Sequence, residues 1–113
     1  KEKKVGLGIM TADCLPIIFY DTFRHTIAIV HAGWRGAVAS IAPKVALNMH
    51  CGTTFEYLRI FFGPSIKSCC YQVSIDFLRE LEGLTFAEKI LYYEERGIMF
   101  DLPLCNRLQL EDI

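Results

Sequence analysis

The sequence lacks long hydrophobic runs, and this absence excludes a membrane-spanning helix. Its longest apolar stretches, residues 15–20 and 26–30, have the length of a strand, whereas a helix that crosses a bilayer needs about 20 residues. The basic residues 1–4 are not followed by an apolar segment. We therefore identify no signal peptide and expect a cytoplasmic protein.

The sequence also lacks an excess of charge of either sign. Its formal net charge of −1 gives no electrostatic footprint for nucleic acid or for an acidic membrane. Hydrophobic residues make up 52% of the chain and charged residues 22%, a balance typical of a globular protein. The 113 residues contain no repeat and no linker, so we predict one domain over residues 1–113.

No disulfide framework is visible either, because the five cysteines are odd in number and irregular in spacing. Cys69 and Cys70 are adjacent and cannot easily bridge to each other without strain. We interpret Cys51, Cys69, Cys70 and Cys105 as reduced packing thiols. A second metal site or a redox pair is the alternative interpretation of Cys69 and Cys70.

Strands are predicted where β-branched and aromatic residues run between turn residues. These segments are residues 5–10, 16–20, 26–31, 58–62, 89–93 and 98–100. The polar residues 21–25 predict a hairpin between the second and third segments. The two glycines in the first segment indicate a strand that another backbone approaches closely.

Helices are predicted in three places. Apolar residues recur at helical intervals after Gly36, with Pro43 as a kink or as the true start of the helix. Ser74 is the expected cap of a helix through residue 81, and Asp101 is the expected cap of the last helix. Elements in this order predict an α/β or α+β fold, a mixed β-sheet flanked by helices in layers.

The first candidate site is the pair Cys14 and His31. Cys14 stands before Pro16, which leaves the thiol at an extended bend, and His31 ends the next predicted strand. If the two strands pair, both side chains can project toward the same edge of the sheet. A thiol beside an imidazole supports either a nucleophile or a metal site. A buried cysteine and a hydrogen-bonded histidine are the alternative without a function.

The second candidate is the turn Gly33-Trp34-Arg35-Gly36, between a predicted strand and a predicted helix. Its backbone N–H groups and the helix dipole favour an anion. Arg35 adds a planar guanidinium suited to phosphate or carboxylate, and Trp34 offers a flat face for a ring. The alternative is an ordinary tight turn, with Trp34 in the core and Arg35 in solvent.

Residues 11–17 (TADCLPI) and 30–36 (VHAGWRG) together resemble the YfiH-like laccase-domain family, whose members are known as polyphenol oxidases and as zinc-dependent purine nucleoside enzymes. Residues 62–73 and 100–110 resemble two further segments of that family. The resemblance implies a layered fold shared with a cytotoxic deamidase toxin of the CNF type. It also implies that the chain is the central part of a longer protein, incomplete at both ends.

The resemblance implies the activity and the metal as well. The expected reactions are phosphorolysis of adenosine, inosine, guanosine and methylthioadenosine, and deamination of adenosine. The expected zinc ligands are Cys14, His31 and a histidine upstream of residue 1, and copper is the alternative metal. With one ligand missing, residues 1–113 alone are expected to bind zinc weakly and to show little turnover.

The substrates implied by the resemblance are purine nucleosides and phosphate. Arg35 and the turn around Gly33 are the candidates for holding phosphate, and Trp34 and Asp13 complete the expected substrate-binding set. Asp13 could instead orient a ligand to the metal, or be an ordinary carboxylate at a strand end.

Three other functions stay open for this sequence. One is a metal-free hydrolase with Cys14 as nucleophile and His31 as base. The others are a copper oxidoreductase and an inactive remnant or binding module. His25 and His50 could complete a metal site, but we expect both to be exposed, His25 in a hairpin loop and His50 near a helix end.

Overall fold

The computed structural model describes residues 4–50 and 54–113, and of His50 only the backbone. In chain order the elements are β1 (Leu15–Asp21), β2 (Thr26–Ala32), α1 (Trp34–Val38), α2 (Ile41–His50), β3 (Leu58–Phe62), β4 (Gln72–Val73), β5 (Leu91–Glu94), β6 (Gly97–Phe100) and α3 (Leu102–Glu111). Two 3₁₀ helices, Ile75–Leu81 and Ala87–Ile90, precede β5.

The strands form two antiparallel sheets. The first has the order β2-β1-β3 and the second the order β4-β6-β5. The predicted hairpin is confirmed, because β1 and β2 pair along their whole length from Leu15–Ala32 to Asp21–Thr26. The carboxylate of Asp21 closes its turn by accepting the backbone N–H groups of Phe23 and Arg24 at 2.9 and 3.0 Å.

Alternation along β1 decides which face of the first sheet is buried. Leu15, Ile17 and Phe19 are fully buried and point toward the helices, as a period of two requires. The opposite face carries Pro16 and Ile18 of β1. It also carries His31 of β2, which pairs with Pro16 across the ladder. We call this opposite face of β1, β2 and β3 the outer face.

The two sheets share one core with α2 and α3. Phe19 and Phe100 are its largest fully buried side chains. The α/β architecture with helices against sheets is confirmed, and every strand pair among the described residues is antiparallel. No helix of the described residues is long and apolar enough to cross a membrane.

Three expectations about local structure need correction. Residues 5–10 form no strand, because no described strand pairs with them. A Cβ atom placed on Gly6 or Gly8 would have no atom of the described residues within 4 Å. The helix after Ser74 is a 3₁₀ helix, and Ser74 makes no side-chain cap bond to it. Residues 89 and 90 belong to a 3₁₀ helix rather than to β5.

Two other expectations are confirmed. Pro43 lies in the first turn of α2, which starts at Ile41 after Ser40 adopts a φ of 62°. This left-handed residue separates α1 from α2. Asp101 caps α3, since its Oδ1 accepts the N–H of Leu104 at 3.0 Å.

Candidate functional site

Cys14 and His31 lie at neighbouring ends of β1 and β2. His31 pairs with Pro16 and lies on the outer face. Cys14 lies in the bend directly before β1, and Gly33 directly follows β2, at the end of the hairpin where Leu15 pairs with Ala32. Cys14 is half-buried and His31 is exposed.

The Cys14 thiol is seated against the turn that follows β2. A Cβ atom placed on Gly33 would lie 3.1 Å from Cys14 Sγ, and no other atom of the described residues lies within 4 Å of it, the adjoining residues aside. The φ of Gly33 is −83°, which any residue can adopt. Glycine is therefore favoured here by the closeness of the sulfur and not by backbone strain.

A third segment runs beside Cys14. The N–H of Gly63 donates to the carbonyl of Pro16, and the N–H of Ile66 donates to the carbonyl of Asp13, both at 2.9 Å. These two bonds hold residues 63–66 along the chain that carries Cys14. The segment that follows brings Tyr71 toward the same place.

Charged groups of the candidate site act on the hydroxyl of Tyr71. Burial raises the pKa of the Tyr71 hydroxyl, the Asp13 carboxylate and an ionised Cys14 thiol act in the same direction, and the Arg35 guanidinium opposes them. Tyr71 therefore stays protonated and can donate a hydrogen bond at neutral pH. Residues 62–73, which contain Tyr71, resemble a segment of the family, but their pattern alone assigns no role to Tyr71.

Aromatic rings join Tyr71 to the start of α1. Trp34 packs edge-on against Phe77 with ring centroids 5.2 Å apart, and Phe77 packs against Phe100 at 5.0 Å. Phe100 in turn contacts Tyr71 at 5.2 Å. This row of rings fixes Trp34 and Tyr71 relative to each other through the core.

Arg35 lies over the indole ring of Trp34, with its Cζ 4.4 Å from the ring centroid. The guanidinium is exposed, and no carboxylate within residues 4–50 and 54–113 forms an ion pair with it. It is therefore available to an anion. The helix that Trp34 opens has five residues, so the guanidinium and not the helix dipole is the main attraction for an anion.

Gln109 supports this turn from the far side. Its Nε2 donates to the carbonyl of Ala37 at 2.8 Å and to Ser40 Oγ at 3.3 Å, although Gln109 is 72 residues away from Ala37 in sequence. These bonds tie α3 to the end of α1. The resemblance included Gln109 in a motif, and the structure shows a positioning contact for it.

The sulfur and nitrogen atoms of Cys14 and His31 are of the type that binds a metal, but they are too few for a complete site. Thiolate sulfur and imidazole nitrogen are ligands of zinc, yet catalytic zinc uses three protein ligands. Among the residues that the structure describes, no group of three or more His, Cys, Asp or Glu side chains is placed to hold a metal. These residues alone do not complete a zinc site.

His25 does not supply the third ligand. His25 lies in the hairpin turn, with its Nδ1 3.1 Å from the Tyr20 hydroxyl. Six residues of extended chain, about 20 Å, separate His25 from His31. Nothing is described of the His50 side chain, and Cys51 lies outside the described residues. The exposed position expected for His25 is confirmed.

Comparison with known proteins shows where similar sequences occur. A family model described as multi-copper polyphenol oxidoreductase laccase matches residues 1–113. A purine nucleoside phosphorylase of Clostridium acetobutylicum is 35% identical over 109 residues, covering 95% of this chain and 46% of the relative. Adenosine deaminase RL5, from an unknown prokaryotic organism, is 41% identical over 70 residues, covering 61% of this chain and 27% of the relative. The chain thus spans less than half the length of either relative.

Two solved structures share the fold. The hypothetical protein YfiH of Bacillus licheniformis superposes with a TM-score of 0.79 at 31% identity, covering 90% of this chain and 40% of that one. YlmD from Geobacillus stearothermophilus superposes with a TM-score of 0.78 at 29% identity, with the same coverage. The arrangement of the two sheets and their helices is therefore one that experiment has shown for similar chains.

Proposed function

The chain belongs to the multi-copper polyphenol oxidoreductase laccase family, the YfiH-like family, and we propose that it forms the central part of an enzyme that phosphorolyses purine nucleosides and deaminates adenosine. The observation that carries the proposal is the seating of Cys14 Sγ against Gly33, at the end of the β1–β2 hairpin where His31 lies. Relatives named purine nucleoside phosphorylase and adenosine deaminase support the choice of reactions.

Phosphorolysis requires a site that neutralises phosphate. Phosphate attacks the sugar carbon of the nucleoside, the bond to the purine breaks, and the base leaves as ribose 1-phosphate forms. Arg35 supplies a charged, exposed guanidinium that acts electrostatically on Tyr71. Such a group binds phosphate through paired N–H donors. The proposal assigns Arg35 to phosphate and the protonated Tyr71 hydroxyl to a hydrogen bond with the nucleoside.

Gly33, Trp34 and Asp13 are assigned supporting positions. Gly33 leaves room for the Cys14 thiol. Trp34 holds Arg35 by a cation–π contact, which orients the guanidinium without an ion pair. Asp13 is exposed beside Cys14 and adds negative charge near Tyr71. Its carboxylate can accept a hydrogen bond from the sugar or from a histidine ring.

For the metal, the proposal is zinc bound by Cys14, His31 and a third ligand from outside residues 1–113. Zinc would act there as a Lewis acid. Copper is the alternative, because thiolate and imidazole also suit copper, and the family description names copper.

A metal-free hydrolase is the second candidate function. In it Cys14 would act as the nucleophile and His31 as the base, a pair that needs no third ligand. Metal analysis of the purified complete gene product separates the two. About one equivalent of zinc supports the first candidate, and full activity in metal-free protein supports the second.

The test of the proposed function uses the complete gene product with inosine and phosphate, and separately with adenosine. We expect hypoxanthine with ribose 1-phosphate from the first, and inosine with ammonia from the second. Arg35→Ala should raise the KM for phosphate by about tenfold to a hundredfold, the value of a charge-assisted hydrogen bond. Adenosine deamination, which uses no phosphate, should keep its kcat/KM.

Arg107→Ala is the matched control. Arg107 is exposed on α3 and pairs with Glu111 at 3.0 Å, and an exposed pair of this kind contributes little to stability. Its KM for phosphate should equal that of the unaltered protein. Equal phosphate KM values in the two variants would contradict the role of Arg35, and absence of both reactions would contradict the proposed function.

A further inference from the structure

The adjacent cysteines Cys69 and Cys70 directly precede Tyr71 and lie outside the proposed site. Their Sγ atoms are 3.5 Å apart, and both side chains are exposed. The sulfur atoms thus face each other across one peptide unit, at the distance of a weak hydrogen bond. A pair of packing thiols, which the sequence favoured, would be buried instead.

The backbone around the pair holds this arrangement. The N–H of Cys70 donates to the carbonyl of Lys67 at 2.9 Å, which closes a turn over residues 67–70. Directly after it, the carbonyl of Tyr71 accepts the N–H of Phe100 at 2.8 Å, and Gln72 pairs with Met99 in the second sheet. The bond from the Ile66 N–H to the Asp13 carbonyl anchors the chain before the turn as well, and the two thiols are presented together to solvent.

We propose that Cys69 and Cys70 form a reversible dithiol site that closes to a disulfide by exchange with small disulfides such as glutathione disulfide. One thiolate attacks the small disulfide, forms a mixed disulfide and releases one small thiol. The neighbouring sulfur then attacks the mixed disulfide and releases the second small thiol. Two S–H bonds of the protein are lost, one S–S bond is formed, and the small disulfide is reduced to two thiols.

Two features of the chain make the second step fast and the product reversible. The attacking sulfur is already within 3.5 Å of its target, so the step is intramolecular with a high effective concentration. Adjacent Cα atoms are about 3.8 Å apart, shorter than in ordinary disulfides, and strained disulfides are readily reduced.

The other described cysteines serve as internal references. Cys105 is fully buried, and burial raises the pKa of its thiol to about 12, so exchange there should be negligible in the folded chain. Cys14 is half-buried against Gly33. Trypsin separates all three groups, because residues 68–79 carry the pair, residues 97–107 carry Cys105 and residues 5–24 carry Cys14.

The experiment incubates the protein with glutathione disulfide, blocks remaining thiols by alkylation, and maps the tryptic peptides by mass. Peptide 68–79 should lose two hydrogens, resist alkylation, and regain both thiols after treatment with dithiothreitol. Cys69→Ser and Cys70→Ser should instead accumulate a glutathione adduct on the remaining thiol, at least about tenfold more than the unaltered protein. Peptide 97–107 should keep a free thiol throughout.

Three results would overturn the proposal. Peptide 68–79 could carry a persistent adduct to the same extent as the single variants, or it could remain fully alkylated. It could also form its disulfide between two chains, which non-reducing electrophoresis would show as a dimer. None of these readouts uses enzymatic activity, so a failure here is distinct from a failure of the proposed function.

Discussion

Gly33→Ala perturbs the candidate site at one atom. The added methyl carbon would lie 3.1 Å from Cys14 Sγ, whereas favourable contacts between heavy atoms of this size begin at about 3.5 Å. The thiol must therefore move by roughly half an ångström. Because the backbone angles of Gly33 suit alanine, the change adds no backbone strain.

The expected cost to folding is small and the expected cost to activity is larger. Gly33 is the N-cap of α1, and replacing a glycine cap by alanine lowers the free energy of unfolding by roughly 0.5–1 kcal/mol. A displacement of 1 Å at a reacting group can cost about a hundredfold in rate. For half that displacement we expect about tenfold lower kcat/KM for inosine phosphorolysis in the complete gene product.

Gly36→Ala provides the matched control. Its added carbon would lie 3.3 Å from Ile41 Cγ2, a contact almost as tight but away from Cys14. Urea denaturation, steady-state kinetics and the rate of Cys14 alkylation would be measured for both variants. The reasoning is refuted if Gly33→Ala and Gly36→Ala show the same kcat/KM and the same alkylation rate.

Three further predictions concern stability and thiol reactivity. Asp101→Ala should lower the free energy of unfolding in urea by about 1 kcal/mol, because Asp101 Oδ1 caps α3 at the N–H of Leu104. Asp101→Asn should recover most of this loss. An unchanged midpoint of urea denaturation in Asp101→Ala would contradict the cap. Hydrogen bonds from the backbone and side chain of Arg24 lower the pKa of Asp21. A carboxyl group whose pKa is lowered in the folded state stabilises the fold at a pH above its unfolded-state pKa, near 4. This contribution is lost as the pH falls through the folded-state pKa. In Asp21→Asn the free energy of unfolding should therefore fall less steeply below about pH 4. An identical decrease in the variant and the unaltered protein would argue against this role of Asp21. Since the Cys105 pKa is about 12, Cys105 alkylation at pH 8 should be slow in the folded chain and fast in urea, and equal rates would show that the thiol is not buried.

The sequence predicted the parts of the fold that local pattern determines. Alternating apolar residues in 16–20 and 26–31 and a polar loop between them specify the hairpin, and Asp101 specifies the start of α3. Residues 5–10 show the limit of this reasoning. A strand needs a partner for its backbone groups, and no pattern within six residues reveals whether the partner is present.

The candidate site was predicted in part for the same reason. Cys14 directly precedes β1 and His31 is the penultimate residue of β2, so the hairpin alone places them at neighbouring ends. Tyr71 and Gln109 reach the site through contacts between distant segments, such as the bond from Gln109 to Ala37. Such contacts depend on packing of the whole core and leave no mark in local periodicity.

The measurement that tests the central claim most directly is a double-mutant cycle on kcat/KM for inosine phosphorolysis in the complete gene product. Cys14→Ser and His31→Ala should each reduce it by more than about a hundredfold. The double variant should be no worse than the worse single variant, because residues that act at one centre are not additive. His25→Ala, an exposed histidine at the other end of β2, should retain full activity. Losses that multiply in the double variant, or equal activity of His31→Ala and His25→Ala, would contradict a shared site at Cys14 and His31.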